Sequence, residues 1–518
     1  MWWYRRGKVA HLHRMCKYTQ KARLLADDVT TDISRNHDTL QIRPFNEIPG
    51  PKSLPVVGTL WKYLPIFGEY SFKKLHVNGY RKLMQYGPLV REEIVPGVNI
   101  VWVFTPSDIE QVFRHEGRYP ERRSHLALQK YRQDRPNVYN TGGLLPTNGP
   151  EWWRLRSEFQ RGLSRPQKVK SYLPQTDQII QEFVDQLEDR QCQDFLPELS
   201  RLFLELSGLV AFDIRLGSLS EEEHKKGSYT SRIMEAALTT NSSILATDNG
   251  PQLWRYVDTR LYRRLKRAQE FMEKIAVELV QKKVESMSRT APSMHESQSL
   301  LEQYLSSKSL DEKDVTGMAV DMLLAGIDTT TNSSSFALYH LATNADSQAK
   351  LHEEACRLLP DIRSPVTKDV LAQAQYTKAV LKESFRLNPI SVGIGRILAQ
   401  DAVLSGYFVP KGTVVVTQNQ VTCRLEEHFT DASRFMPERW IKGHPLYTPV
   451  SPYLVLPFGH GPRTCIARWL AEQNLHTLLL KMIRRYKIGW AGGDLDCISL
   501  LINKPDRPIQ LTLKEWSK

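Results

Sequence analysis

The segment PFGHGPRTCIARWL, Pro457 to Leu470, places two glycines, a proline and an arginine ahead of Cys465 and then continues into a helix-like run. Gly459, Gly461 and Pro462 permit a tight loop. From Ile466 onward the residues read as a helix, so the fold must bring a sulfur to a helix N-terminus, where free N–H groups and the helix dipole favour an anion. Such a setting predicts a thiol pKa below its free value of about 8.5, and a thiolate that serves either as a metal ligand or as a nucleophile. The nucleophile needs a base, and His460 is the nearest candidate. Proximity in sequence says little here, because catalytic partners are usually assembled from distant segments.

The rest of the chain narrows these alternatives. Its 518 residues are ample for a large core, and no strong linker divides them. Six cysteines (16, 192, 356, 423, 465, 497) show no C-x-x-C spacing, which argues against a structural zinc site and a secreted disulfide framework and fits a reducing compartment. A net charge of +13 favours acidic partners or anionic surfaces. Between Met1 and Ala26 there are seven Lys or Arg residues and no acid, a pattern that matches an import presequence, with a plain basic arm as the alternative. No run of about 18 apolar residues supports a transmembrane anchor.

Residues 1–45 are expected to be presequence and basic arm, and 46–518 the folded body, which opens with the proline- and glycine-rich IPGPKSLPVVGTL. Apolar residues at three- and four-residue spacing predict helices near 168–190, 254–288, 310–344 and 466–486. The runs NIVWVF (99–104) and TVVVTQ (413–418) predict strands, giving a mainly α protein with a small β region. Serine-rich 286–309 reads as an exposed loop, ending in a capping box, Ser309 to Glu312, that starts the next helix.

That helix carries AGIDTTTNSSS, in which Thr329 to Ser335 is an unbroken series of small polar residues. Propensity predicts a break, whereas the apolar flanks predict continuity, with side chains returning hydrogen bonds to earlier carbonyls. Asp328 and Thr329 are candidates for proton relay to a ligand admitted by Ala325 and Gly326; a polar notch at a bend is the alternative. Glu383 and Arg386 form an i,i+3 pair, either solvated or buried with Arg439 of FMPERW as the further partner that burial requires. Trp152 and Arg156, one helical turn apart, and Arg396 are candidate anion donors.

Taken together, FGHGPRTCIA resembles the cysteine-loop signature F-x-x-G-x-R-x-C-x-G of the cytochrome P-450 superfamily, with Phe458, Gly461, Arg463 and Cys465 in place. AGIDTT, ExxR and FMPERW resemble its other signatures, in order. Ala467 departs from the usual glycine; its N–H remains, while close porphyrin contact is put in question. The resemblance implies one domain holding haem b between the long central helix and the cysteine-loop helix, with Cys465 as the iron's thiolate ligand. It further implies Asp328 and Thr329 as distal proton donors and Gly326 as the gap through which the ligand approaches the helix. Trp152, Arg156, Arg396 and Arg463 would hold the propionates, with Phe458 at the cofactor and Glu383, Arg386 and Arg439 as a buried structural triad.

Lys378 and Lys382 resemble the basic pair with which mitochondrial members dock an acidic [2Fe–2S] ferredoxin; Arg468 extends the patch, although Trp469 replaces a basic residue frequent in that class. HEGRYPERR (115–123) is similar to the mitochondrial members' segment leading into the substrate-facing loop. The overall texture is most similar to arthropod mitochondrial ecdysteroid hydroxylases. It implies C-22 hydroxylation of a steroid precursor with O2, by a monomer on the matrix face of the inner mitochondrial membrane. Contact with that membrane would be peripheral, and no nucleic acid is involved. A haem-thiolate isomerase or lyase, or a haem or lipid carrier, would have no use for the Asp328–Thr329 pair.

Overall fold

In a computed structural model, the protein is described over residues 41–66, 68–94, 96–250, 252–289 and 298–516. The basic arm therefore lies almost wholly outside the described residues. The folded body is already anchored at Arg43, whose backbone N–H donates to Gly406 O at 3.0 Å and whose guanidinium lies 3.8 Å from the Tyr407 ring centre.

Helices dominate, as the periodicity predicts. The helices that position the site are α1 (Gly149–Leu163), α2 (Leu196–Phe212), α3 (Tyr229–Asn249), α4 (Glu312–Thr343), α5 (Gln375–Leu387) and α6 (Arg468–Arg485). The expected 168–190 helix is instead two, Pro166–Ser171 and Leu173–Asp185, and 254–288 resolves into Arg260–Arg289. Helix α4, 32 residues or about 48 Å long, runs through the core against α2 and α3. It does not break at the polar run. Thr329 Oγ1 donates to Ala325 O at 2.6 Å, Ser333 to Thr329 O at 2.7 Å, Ser334 to Thr330 O at 2.9 Å and Ser335 to Asn332 O at 2.8 Å. Every hydroxyl of the series except that of Thr331 returns a hydrogen bond to a carbonyl of its own helix, so the series is buried with little help from elsewhere.

Two boundaries differ from expectation. Helix α4 is capped by Asp311, whose carboxylate accepts the Asp314 N–H, and not by Ser309. The capping box belongs to Ser299 and Glu302, which start a short helix, Leu300–Leu305, inside the stretch expected to be loop.

The predicted strands share one sheet. Its strands β1 (Leu89–Glu92), β2 (Ile100–Val103), β3 (Ile394–Ile397) and β4 (Val414–Thr417) lie in the order β1-β2-β4-β3, with β2 and β4 parallel and the other pairs antiparallel. Val416 faces Trp102 on one side and Gly395 on the other, so a single cross-strand row forms part of the wall of the central cavity.

Glu383, Arg386 and Arg439 are brought together, and all are essentially inaccessible to solvent. Glu383 Oε1 accepts from Arg386 Nη2 (2.8 Å), Arg439 Nε (3.1 Å) and Met436 N (3.0 Å). Its Oε2 accepts from Arg386 Nε (2.9 Å) and Trp440 Nε1 (2.9 Å). Arg386 also donates to the carbonyls of Cys423, Ala432 and Arg434, so α5 is tied to the irregular 423–440 segment by fully paired charges. Removing the charge while keeping the shape, as in Glu383→Gln, strands two buried guanidinium groups. Equilibrium urea unfolding should then show a loss of about 3–5 kcal/mol; a loss below about 1 kcal/mol would deny the triad its structural role.

Candidate functional site

The cysteine loop is built by two left-handed glycines. Gly459 has φ 74° and Gly461 φ 70°, and a Cβ at Gly461 would lie 2.2 Å from Glu116 Oε1, so both conformation and approach require glycine there. Residues 461–463 make a 3-10 turn, after which the Cys465 N–H donates to Phe458 O at 2.7 Å. Helix α6 starts at Arg468 with Ala467 as its N-cap, two residues later than expected. Cys465 is set deep in the protein yet open toward a cavity of about 600 Å³, and among the five described cysteines it alone lines that cavity.

Burial raises the Cys465 thiol above its ordinary value; the Ala467 N–H and Arg156 oppose this without overcoming it. The expected depression by the helix terminus is therefore not found. Desolvation outweighs the dipole, and a coordinating metal is what would deprotonate such a thiol. His460 supplies no base. Its ring packs on Phe113 and Tyr453, with centroids 5.0 and 5.2 Å away, and makes no hydrogen bond to Cys465.

Facing the same cavity are Trp152 and five arginines, Arg122, Arg123, Arg156, Arg396 and Arg463. Arg463 donates through Nη2 to Thr147 O (2.6 Å) and Asn148 Oδ1 (2.8 Å), and its guanidinium lies 4.1 Å from the Trp152 ring centre. Arg396, on β3, donates to Glu116 Oε2 at 2.5 Å and to His460 O at 3.0 Å. Arg156 reaches only Gln160, at 3.2 Å, and Arg122 the Leu145 carbonyl, at 2.6 Å. Burial, followed by Arg122, Arg396 and Arg156, pushes the Arg463 guanidinium down to about 8; burial first, then neighbouring cations, takes Arg122 to about 10, and burial does the same to Arg156. Arginine stays protonated in proteins, so these depressions express cations crowded around a space that favours anions. The arrangement fits a cofactor carrying carboxylates at its edge and a metal within reach of Cys465. Arg122 was not singled out by the sequence. It lies in HEGRYPERR, where nothing in the spacing marks it as facing a cavity.

The opposite wall is α4. Met318, Met322, Ala325, Gly326, Thr329 and Ser333 line the cavity, but Asp328 does not. Its carboxylate turns toward α3, accepting from Asn241 Nδ2 at 2.7 Å, and burial raises its pKa. The sequence thus leads to one cavity-facing member of the expected pair. Gly326 lines the cavity and is also closely packed on α2, since a Cβ there would meet Ser207 Oγ at 2.5 Å.

Behind the loop, Phe458 meets Phe385 of α5 edge-on at 5.5 Å. On α5, Lys378 is half-buried and donates to Ala372 O at 2.8 Å, whereas Lys382 is exposed. Burial, and then these two lysines, hold His476 of α6 down to about 3, which places both lysines beside the helix that follows Cys465. Arg468 pairs with Glu472 at 3.2 Å and lies 5.3 Å from the exposed Trp469 ring. One further cluster, His76, Asp496 and Cys497, does not itself line the cavity. Its imidazole engages Asp496 and Cys497 through different nitrogens, and Lys74 already neutralises Asp496 at 2.7 Å, so it does not compete as the metal centre.

Residues 48–512 match the family model "Cytochrome P450". The chain is 50% identical to "Cytochrome P450 302a1, mitochondrial" of Drosophila melanogaster, over 91% of this chain and 96% of that protein. It is 32% identical to "Cytochrome P450 12b1, mitochondrial" of Drosophila acanthoptera, over 87% and 86%, and 30% identical to "Ecdysone 20-monooxygenase" of Drosophila melanogaster, over 90% and 88%. With the cysteine loop, the cationic cradle and a match spanning nearly the whole body, the chain belongs to the cytochrome P450 family of monooxygenases, whose cofactor is haem b with an axial thiolate.

Proposed function

We propose that this monooxygenase hydroxylates a steroid, an ecdysteroid precursor at C-22, with electrons passed from NADPH through a ferredoxin reductase and an acidic [2Fe–2S] ferredoxin. One observation carries the reading: a single cavity has Cys465 and the arginine cradle on one wall and Thr329 on the other, in a chain half identical to a mitochondrial member of the family. The cavity, about 600 Å³ and lined mainly by apolar side chains, is in the range of sites that enclose a small apolar molecule. The relative named for ecdysone supports a substrate of that class.

Bound haem would supply the activation of O2 that puts one oxygen atom into a C–H bond. The residues of this chain do the remainder. Cys465 Sγ would bind the iron, with the Ala467 N–H keeping the sulfur oriented. Trp152, Arg122, Arg156, Arg396 and Arg463 would hold the propionates, with Phe458 beside the cysteine. Thr329, on the facing wall, would position a proton at its hydroxyl. Asp328, whose burial favours its protonated form, is the reserve behind it, restrained by Asn241.

Lys378 and Lys382, with Arg468, form the ferredoxin dock. The basic stretch from Met1 to Ala26 and the mitochondrial relatives support import, and the fold is proposed to work as a monomer at the matrix face of the inner membrane. No helix among the described residues is long and apolar enough to cross a membrane, which is in keeping with peripheral contact.

Two experiments test these roles. Thr329→Ala should retain haem and sterol binding while oxygen consumption is diverted to hydrogen peroxide and product per electron falls about ten-fold or more; unchanged coupling would remove Thr329 from proton delivery. Reversing Lys378 and Lys382 together to Glu should raise the ferredoxin concentration for half-maximal reduction by about ten-fold at low salt and flatten its salt dependence. Wild-type reduction kinetics at low salt would place the dock elsewhere.

A further inference from the structure

His125 stands on the cavity wall in a conformation that needs explanation. Its backbone is left-handed, φ 63° and ψ 32°, at the N-cap of the helix Leu126–Gln133, and the residue is only 6% exposed. Histidine is among the few residues besides glycine that enter this region, and here a specific contact holds it there. Asp248, in the last turn of α3, makes that contact: the carboxylate accepts the His125 N–H at 2.6 Å and the Leu126 N–H at 2.9 Å. The loop ahead of Leu126–Gln133 is thereby fastened to the end of α3, and both residues line the cavity.

The imidazole is oriented as firmly as the backbone. Nδ1 lies 2.6 Å from Ser124 Oγ, while Nε2 has no hydrogen-bond partner among the described residues. Burial, and then Arg122 and Arg132, hold the ring in its neutral form. Nε2 is not among the sealed, unpaired atoms of the interior; with no partner among the described residues and His125 on the cavity wall, it is open to a ligand there. At a left-handed bend, glycine or asparagine would serve the backbone better. Leu144, Leu145, Leu245 and Leu501 also line the cavity, so a ligand there is mostly apolar and needs polar recognition at few points.

We propose that His125 contacts the substrate and determines specificity, its Nε2 sharing a hydrogen bond with one hydroxyl group of the steroid, while Ser124 and Asp248 act as positioning residues. A hydroxyl both donates and accepts, so it complements whichever tautomer Ser124 selects. A site built around such a bond discriminates against analogues that lack the hydroxyl, because the imidazole nitrogen is then left unpaired. The inference rests on the steroid hydroxylase reading.

The test is a spectral titration of the haem-loaded protein, following the spin-state change on binding of an ecdysteroid precursor and a set of analogues each lacking one hydroxyl. The wild type should bind one analogue about ten-fold or more weakly than the parent. His125→Asn, which tolerates the left-handed backbone but falls short of the cavity, should bind that analogue and the parent alike while still discriminating among the others. Ser124→Ala leaves the bend untouched and should reduce the same discrimination in part, giving a second measure if His125→Asn folds poorly. Wild-type discrimination retained in both variants would overturn the role of His125 and leave the steroid reading intact. A wild type that responds to none of the sterols would overturn both.

Discussion

Arginine side chains from separate parts of the chain, at 122, 123, 156, 396 and 463, face one cavity; of the carboxylates that line it, Asp321 is taken by Arg132 and Asp248 by the His125 and Leu126 N–H groups, and Glu116 beside it is taken by Arg396. Buried like charges repel strongly where water cannot screen them. The segments that carry them are nevertheless pinned together by neutral groups: Arg463 to Thr147 and Asn148, Asn148 in turn to both backbone groups of Arg122, and Arg396 to the His460 carbonyl. The cradle is preorganised for anions that the polypeptide does not supply. A cofactor that carries carboxylates would add to these contacts, and its binding would stabilise the folded state by mass action.

The two walls around that cofactor solve different problems. On the sulfur side, Gly461 lets Glu116 approach, the short turn sets Cys465 toward the cavity, and α5 supports Phe458 from below through Phe385. The same helix is fixed by Glu383, whose oxygens are occupied by the Arg386 and Arg439 guanidinium groups, an indole and a backbone N–H. On the opposite wall, α4 carries a polar series through a hydrophobic core without bending apart, because all its hydroxyls but that of Thr331 are bonded to carbonyls of their own helix. That leaves Thr329 at the cavity and Asp328 held against α3, so in the proposed proton route a movement of α3 that loosens Asn241 would alter proton supply. The end of α3 also clasps His125 through Asp248, so the proposed substrate contact and proton reserve would share one helix.

Much of this was legible in the sequence. The long helices and the two strands followed from periodicity, and Cys465, Arg156, Arg396, Arg463 and Thr329 do converge on one cavity. What was not legible has physical causes. Ser309 and Ser299 both open an S-x-x-E pattern, and only tertiary packing selects the second. Arg122 and His125 lie in irregular segments, where no period indicates direction. The thiol of Cys465 was expected to be depressed by a helix terminus, but its desolvation depends on how much protein surrounds the loop. Asp328 was paired with Thr329 by adjacency, yet neighbours on a helix point about 100° apart, and the Asp328 side chain is held on the side of α3 by Asn241.

The central claim is that Cys465 is the cysteine that ligates iron, a role no other described cysteine can take because none reaches the cavity. The most direct measurement is the absorption spectrum of the reduced, carbon-monoxide-bound protein as isolated and after Cys465→His and Cys497→Ser substitution. The account predicts the red-shifted Soret band of a thiolate-ligated haem in the wild type and in Cys497→Ser, and its replacement by an imidazole-type band in Cys465→His. A thiolate band that survives in Cys465→His, or is lost in Cys497→Ser with the fold intact, would contradict it.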